Sequence, residues 1–114
     1  MSLSKRIAAK RAEKERKVIE IAEWGEGDDP LRLYSSDVTA RDLDKIQRKH
    51  PGFLSDVTMA GMVEVIIDKC ELETGDKAFT LEDKVILMGE PISVITKVFG
   101  EVFTGANVED HLKN

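Results

Sequence analysis

Apolar residues alternate with polar ones over two short stretches near the start of the chain, then recur at helical spacing for most of its length. In residues 18–22, Ile19 and Ile21 share one face. In residues 31–34, Leu31 and Leu33 point inward while Arg32 and Tyr34 point outward, which reads as a second strand. Between them lie two Gly, one Pro and four acids, a composition that predicts a long hairpin loop. Val18, Ile21 and Ala22 also fit a helical period, so a helix continuing from the N-terminus is the competing reading.

Four helices are predicted after the hairpin. Thr39 and Asp42 have capping-box spacing, and Ala40, Leu43 and Ile46 follow as a narrow stripe that stops at Pro51 and Gly52. Asp56 or Thr58 caps the next helix. Its Met59, Met62, Val63, Ile66, Ile67 and Cys70 fall at i, i+3, i+4, i+7, i+8 and i+11, the clearest amphipathic pattern in the chain. Gly61 within it predicts a close approach by another helix. Residues 71–78 are a polar break. Thr80 and Asp83 then open a short helix with Leu81, Val85 and Met88 inward, ended by Gly89 and Pro91. Pro91 starts the last helix as its first residue. Ile92, Ile95, Val98, Phe99, Val102 and Phe103 form its broad apolar face, and Gly105 closes it. Residues 106–114 read as a loose C-terminal segment.

The predicted fold is therefore mainly α, of the α+β class: an N-terminal β-hairpin packed on about four helices. A chain of 114 residues fits one domain, here residues 18–114, preceded by an arm. Charge separates the two. Residues 1–17 carry seven Lys or Arg and two Glu, a net of +5, and the rest carries a net of −10, together the −5 of the whole chain. The arm is rich in helix formers but has little to bury, which predicts a solvated, partly helical segment. A sharper expectation is docking on an acidic partner or on the acidic body of a neighbouring subunit, which would make the chain self-associate. An acidic body repels nucleic-acid phosphates and anionic membranes, so neither is an expected partner. No apolar run approaches the roughly 20 residues of a membrane span. A single Cys excludes an internal disulfide, and Cys70 on the buried stripe reads as a small core residue.

Catalytic chemistry is missing. The eight Gly are scattered rather than gathered into a phosphate loop, and neither a helical His-Glu-x-x-His nor a Gly-x-Ser-x-Gly elbow occurs. Placing Gly75 at the sixth position of a calcium loop puts Cys70, Leu72 and Thr74 where carboxylates are needed, which rules that motif out. His50 at a helix end and His111 near the C-terminus have no evident co-ligands. No catalytic, cofactor or metal residue is assigned, and a non-enzymatic binding module is expected.

Several features in order carry a resemblance: Glu23, Trp24 and Gly25 after a short strand; Pro30, Leu31, Arg32, Leu33 and Tyr34 as the return strand; Thr39 to Asp44 opening the first helix; Ala78 to Asp83; and a final apolar helix. Over residues 17–114 the chain resembles the tail assembly chaperones of long-tailed bacteriophages. The resemblance implies binding of the long, helical, apolar tape measure protein, which is kept soluble, and help in recruiting tail tube subunits. It also implies residence in the host cytoplasm and absence from the mature virion. Many such chaperones have a longer form made by ribosomal frameshifting, and Leu112, Lys113 and Asn114 permit a slippery A-AAA-AAC in the message.

Two contact surfaces are expected for such a partner. One is the last helix around Val98, Phe99, Val102 and Phe103, a face that reads first as ordinary core and second as a contact. The other is Trp24, either an exposed anchor or a lid over the core. A regulatory adaptor using its arm on nucleic acid and a structural virion subunit remain the alternative functions.

Overall fold

Strand alternation and non-local pairing build the sheet. β1 (Lys17–Glu26) and β2 (Asp29–Ser35) pair antiparallel, with Ile19 opposite Leu33 and Ile21 opposite Leu31. Ile19, Ile21 and Leu33 are buried on one face, while Glu20 and Arg32 pair across the other at 3.0 Å. The computed structural model describes residues 2–104, apart from the Thr104 side chain. Gly105 and residues 106–114, expected to be loose and including His111, Leu112, Lys113 and Asn114, lie outside the described residues.

The predicted long loop is replaced by strand. Both strands run on to a short turn at Gly27 and Asp28, and the register shifts between Ile21 and Glu26, so Trp24 and Gly25 sit in a wide bulge. Turn-forming composition predicts a loop here, but the Gly and acidic residues bend a strand instead of ending it. Cys70 and Glu71 form β3, a two-residue strand pairing with Ser35 and Tyr34, giving the order β1-β2-β3. Cys70 caps the preceding helix in extended conformation and is fully buried.

Among the described residues there are five helices. α1 (Leu3–Glu13) is capped by Ser2 and buries nothing. α2 (Ala40–Lys49) opens with the Thr39 and Asp42 capping box, the Asp42 N–H donating to Thr39 at 3.1 Å and the Thr39 N–H to Asp42 at 2.9 Å. α3 (Met59–Lys69), capped by Thr58, buries Gly61, Val63, Val65, Ile66 and Ile67, more than one stripe, because α2, α4 and α5 all pack around it. α5 (Ile92–Thr104) packs on both α3 and β1. Pro91 stands one position before its first residue, its carbonyl accepting from Val94 and Ile95. Gly61 does permit a close approach, but by a ring rather than a helix. A Cβ there would stand 2.8 Å from Cε1 of Phe53, which the turn between α2 and α3 inserts into the core.

Leu81, Val85 and Met88 depart from their predicted inward placement. Leu81–Asp83 form a 3₁₀ turn before α4 (Lys84–Met88), and only Leu87 is buried there. A 3₁₀ turn advances the chain by a third of a circle per residue, so the following face is out of phase with the one a continuous α-helix would bury. Ile92, expected on the inner face of α5, is also exposed, while Val94 is buried.

Candidate partner-binding surface

Two of the residues expected to meet a partner are core. Val98 and Val102 are 0% exposed, held by the layer between the sheet and α3, so they offer no contact face. Both therefore follow the ordinary-core reading and not the contact reading, since a residue already surrounded by its own chain has no surface left to bury on binding. Phe99 and Phe103 are half-buried and join Phe53 in an aromatic cluster, with centroids 6.0 and 6.1 Å from Phe53 and 4.7 Å from each other. Trp24 is half-buried on other partners. Its ring meets Phe79 edge-on at 6.0 Å, and its indole N–H donates to the Glu90 carboxylate. It is a lid fixing the hairpin bulge to the loops before α4 and α5.

The apolar surface left without cover lies elsewhere. Leu81, Val85, Ile86, Met88 and Ile92 are 65, 81, 69, 46 and 67% exposed, five large apolar side chains within a twelve-residue stretch. Four consecutive apolar residues, Val85 to Met88, were the available signal. A helix this short buries one side on its neighbour, so a run that is apolar all round must leave some of it in solvent.

Leu81 also lines a groove of about 350 Å³. Leu43 and Ile46 of α2, Val65 and Ile67 of α3, and Phe79 and Phe103 give it apolar walls. Six of the rim charges are paired with one another, Lys45 with Asp68 at 2.9 Å, Lys69 with Asp42 at 2.8 Å and Lys49 with Glu64 at 3.6 Å, while Lys77 donates to the Asp68 backbone carbonyl. A rim largely neutralised in this way leaves apolar contact as the main attraction the groove offers.

Glu64 ties three elements together. Its carboxylate meets His50 at the end of α2 and accepts from Lys84 of α4 at 3.2 Å. Burial pushes this carboxyl up, but hydrogen bonds and charge from His50 and Lys84 outweigh it, and the net shift is below the ordinary 4.5. At Asp42 burial likewise acts upward, and Lys69 and the Thr39 N–H bring the net shift below the ordinary 3.8. Lowered folded values mean that the unfolded chain takes up protons first as pH falls. The stabilisation is therefore present above the unfolded values and fades as pH drops through the folded ones. The urea midpoint is expected to fall with acidification below about pH 4.5. Glu64→Gln should start lower at neutral pH and fall less steeply; an unchanged slope would remove Glu64 from the acid response.

Reactive chemistry is not gathered anywhere on this surface. Burial raises the Cys70 thiol to about 12, which keeps it protonated and unreactive. Among the described residues, no group of three His, Cys, Asp or Glu could hold a metal ion. No described helix is long and apolar enough to cross a membrane. No family model matches the chain, and neither a curated protein nor a solved structure does.

Proposed function

We propose that the chain is a non-enzymatic tail assembly chaperone of a long-tailed phage, binding the apolar helices of a tape measure protein, keeping them soluble and helping to recruit tail tube subunits in the host cytoplasm before the mature virion forms. The exposed apolar run from Leu81 to Ile92 carries this reading. A small protein that leaves five large apolar side chains uncovered has a surface suited to the apolar stripe of a helix, the helix-side mode of recognition. Glu82, Asp83 and Glu90 border the run, and Lys84 is engaged by Glu64, so the border is net acidic. An acidic border on an acidic body keeps a complex with an apolar chain dispersed by charge repulsion.

Co-expression with a tape measure segment provides the test. The wild-type chain should hold the segment in the soluble fraction and co-purify with it. Val85→Glu combined with Ile86→Glu should keep the far-UV spectrum and unfolding midpoint, since both side chains are already in water, and lose the segment to the pellet. A segment that stays insoluble with the wild-type chain, or soluble with the double variant, would count against the reading.

A further inference from the structure

Only the root of the N-terminal arm is held by the rest of the fold. No residue of α1 is buried, and Leu3 and Ile7 are 69 and 62% exposed. A helix of 11 residues without tertiary packing is marginal in water. Its C-terminal end is fixed by charge, Arg11 and Lys14 meeting Asp37 at 2.7 and 2.6 Å. Arg16, just beyond, pairs with Glu71 at 3.0 Å and donates to the carbonyls of Leu72 and Glu73. Lys5, Arg6 and Lys10, further out, make no ion pair among the described residues. On the helix Leu3, Ile7 and Lys10 lie on one side with Arg11 and Lys14, so the face that touches Asp37 at one end continues into solvent at the other.

The opposite charge gathers at the far end of the sheet. Residues 22–30 contain Glu23, Glu26, Asp28 and Asp29 and no Lys or Arg. Glu26 and Asp28 make no ion pair among the described residues, and Glu23 reaches Lys97 only at 3.8 Å. β2 separates this turn from the root of the arm by roughly 20 Å at about 3.3 Å per residue. No ion pair joins arm and turn within one chain among the described residues, and the arm is pinned at the root end.

We infer that the arm's partner is the hairpin turn of a second copy of this chain, with Lys5, Arg6 and Lys10 of one copy against Glu23, Glu26 and Asp28 of the next. Complementary patches at opposite ends of one sheet let two antiparallel copies exchange arms as a reciprocal two-fold dimer, or let copies add head-to-tail into a ring or chain. The contact goes beyond the proposed function and is independent of it, because it uses neither the apolar run nor the groove.

Charge reversal tests it directly by sedimentation of the full chain. At about 0.01 M salt, where the Debye length is roughly 30 Å, the wild-type chain should show a concentration-dependent mass above that of the monomer; at about 1 M, where it is roughly 3 Å, it should be monomeric. K5E/R6E/K10E alone and E23K/E26K/D28K alone should each be monomeric at low salt with unchanged circular dichroism. Their equimolar mixture should regain assembly, because each variant's arm then matches the other's turn. A wild-type chain monomeric at low salt, a reversed variant that assembles on its own, or a mixture that stays monomeric overturns the inference. Binding of a DNA duplex lost with K5E/R6E/K10E while self-assembly persists would assign the arm to nucleic acid instead.

Discussion

Phe53→Ala is expected to lower the stability of the folded chain by about 3–5 kcal/mol, the range for truncating a buried aromatic. Phe53 is 1% exposed although it comes from a turn. Its ring lies over Gly61 of α3 and meets Phe99 and Phe103 of α5. It is therefore the wedge that seats the α2 to α3 turn against the last helix. A loss of that size is a large part of the roughly 5–15 kcal/mol typical of a domain. Leu54, the next residue, is 59% exposed, and Leu54→Ala should stay within about 0.5 kcal/mol of wild type. Urea midpoints of the two variants measure the contrast; equal midpoints would mean that the aromatic cluster does not hold the turn.

Phe53 also shows how far the sequence could be read. Helix existence was legible where apolar residues repeat over several turns, as from Met59 to Cys70, because one face must then meet the core. The capping boxes were legible because Thr39 and Asp42, and Thr80 and Asp83, are local in sequence and need nothing else; the Thr80 N–H does donate to Asp83 at 2.8 Å. What depended on distant partners was not legible. Whether Phe53 points in or out is decided by the gap over Gly61, and β3 exists because Cys70 and Glu71 meet Ser35 and Tyr34 from across the chain.

The same division explains the candidate site. The last helix is apolar enough to be either core or contact, and only the position of the sheet and α3 makes Val98 and Val102 core. The outward placement of Leu81, Val85 and Met88 follows from a 3₁₀ turn whose phase no pattern of apolar residues encodes, and Ile92 adds to that surface from the start of α5. The groove beside it is assembled from α2, α3, the loop at Phe79 and the end of α5, segments far apart in sequence. Charge was more legible than packing, since the basic arm and acidic turn are visible as composition before any coordinates.

Gly25→Ala should be as damaging as the loss of the aromatic wedge, costing about 3 kcal/mol or more, at the upper end of overpacking. A Cβ at Gly25 would stand 2.1 Å from the Asp29 carbonyl oxygen and 2.6 Å from Cα of Pro30. Both are backbone atoms of the facing strand, so no side chain can turn aside to make room. The bulge would have to open, and Trp24 beside it would leave Phe79 and Glu90. Trp24 is the one Trp in the chain, so its emission reports on this step alone: it should shift to the red in Gly25→Ala under native conditions. Gly27 is the control. Its φ of +58° favours glycine, but nothing lies within 4 Å of a Cβ there, so Gly27→Ala should cost only about 1–2 kcal/mol and leave the emission in place. If Gly25→Ala matches Gly27→Ala in midpoint and emission, the close approach of the two strands is not what holds the lid. If the two separate as expected, the glycine's role is room for the opposite strand rather than freedom of φ. The acidic turn and the Trp lid then depend on one missing methyl group.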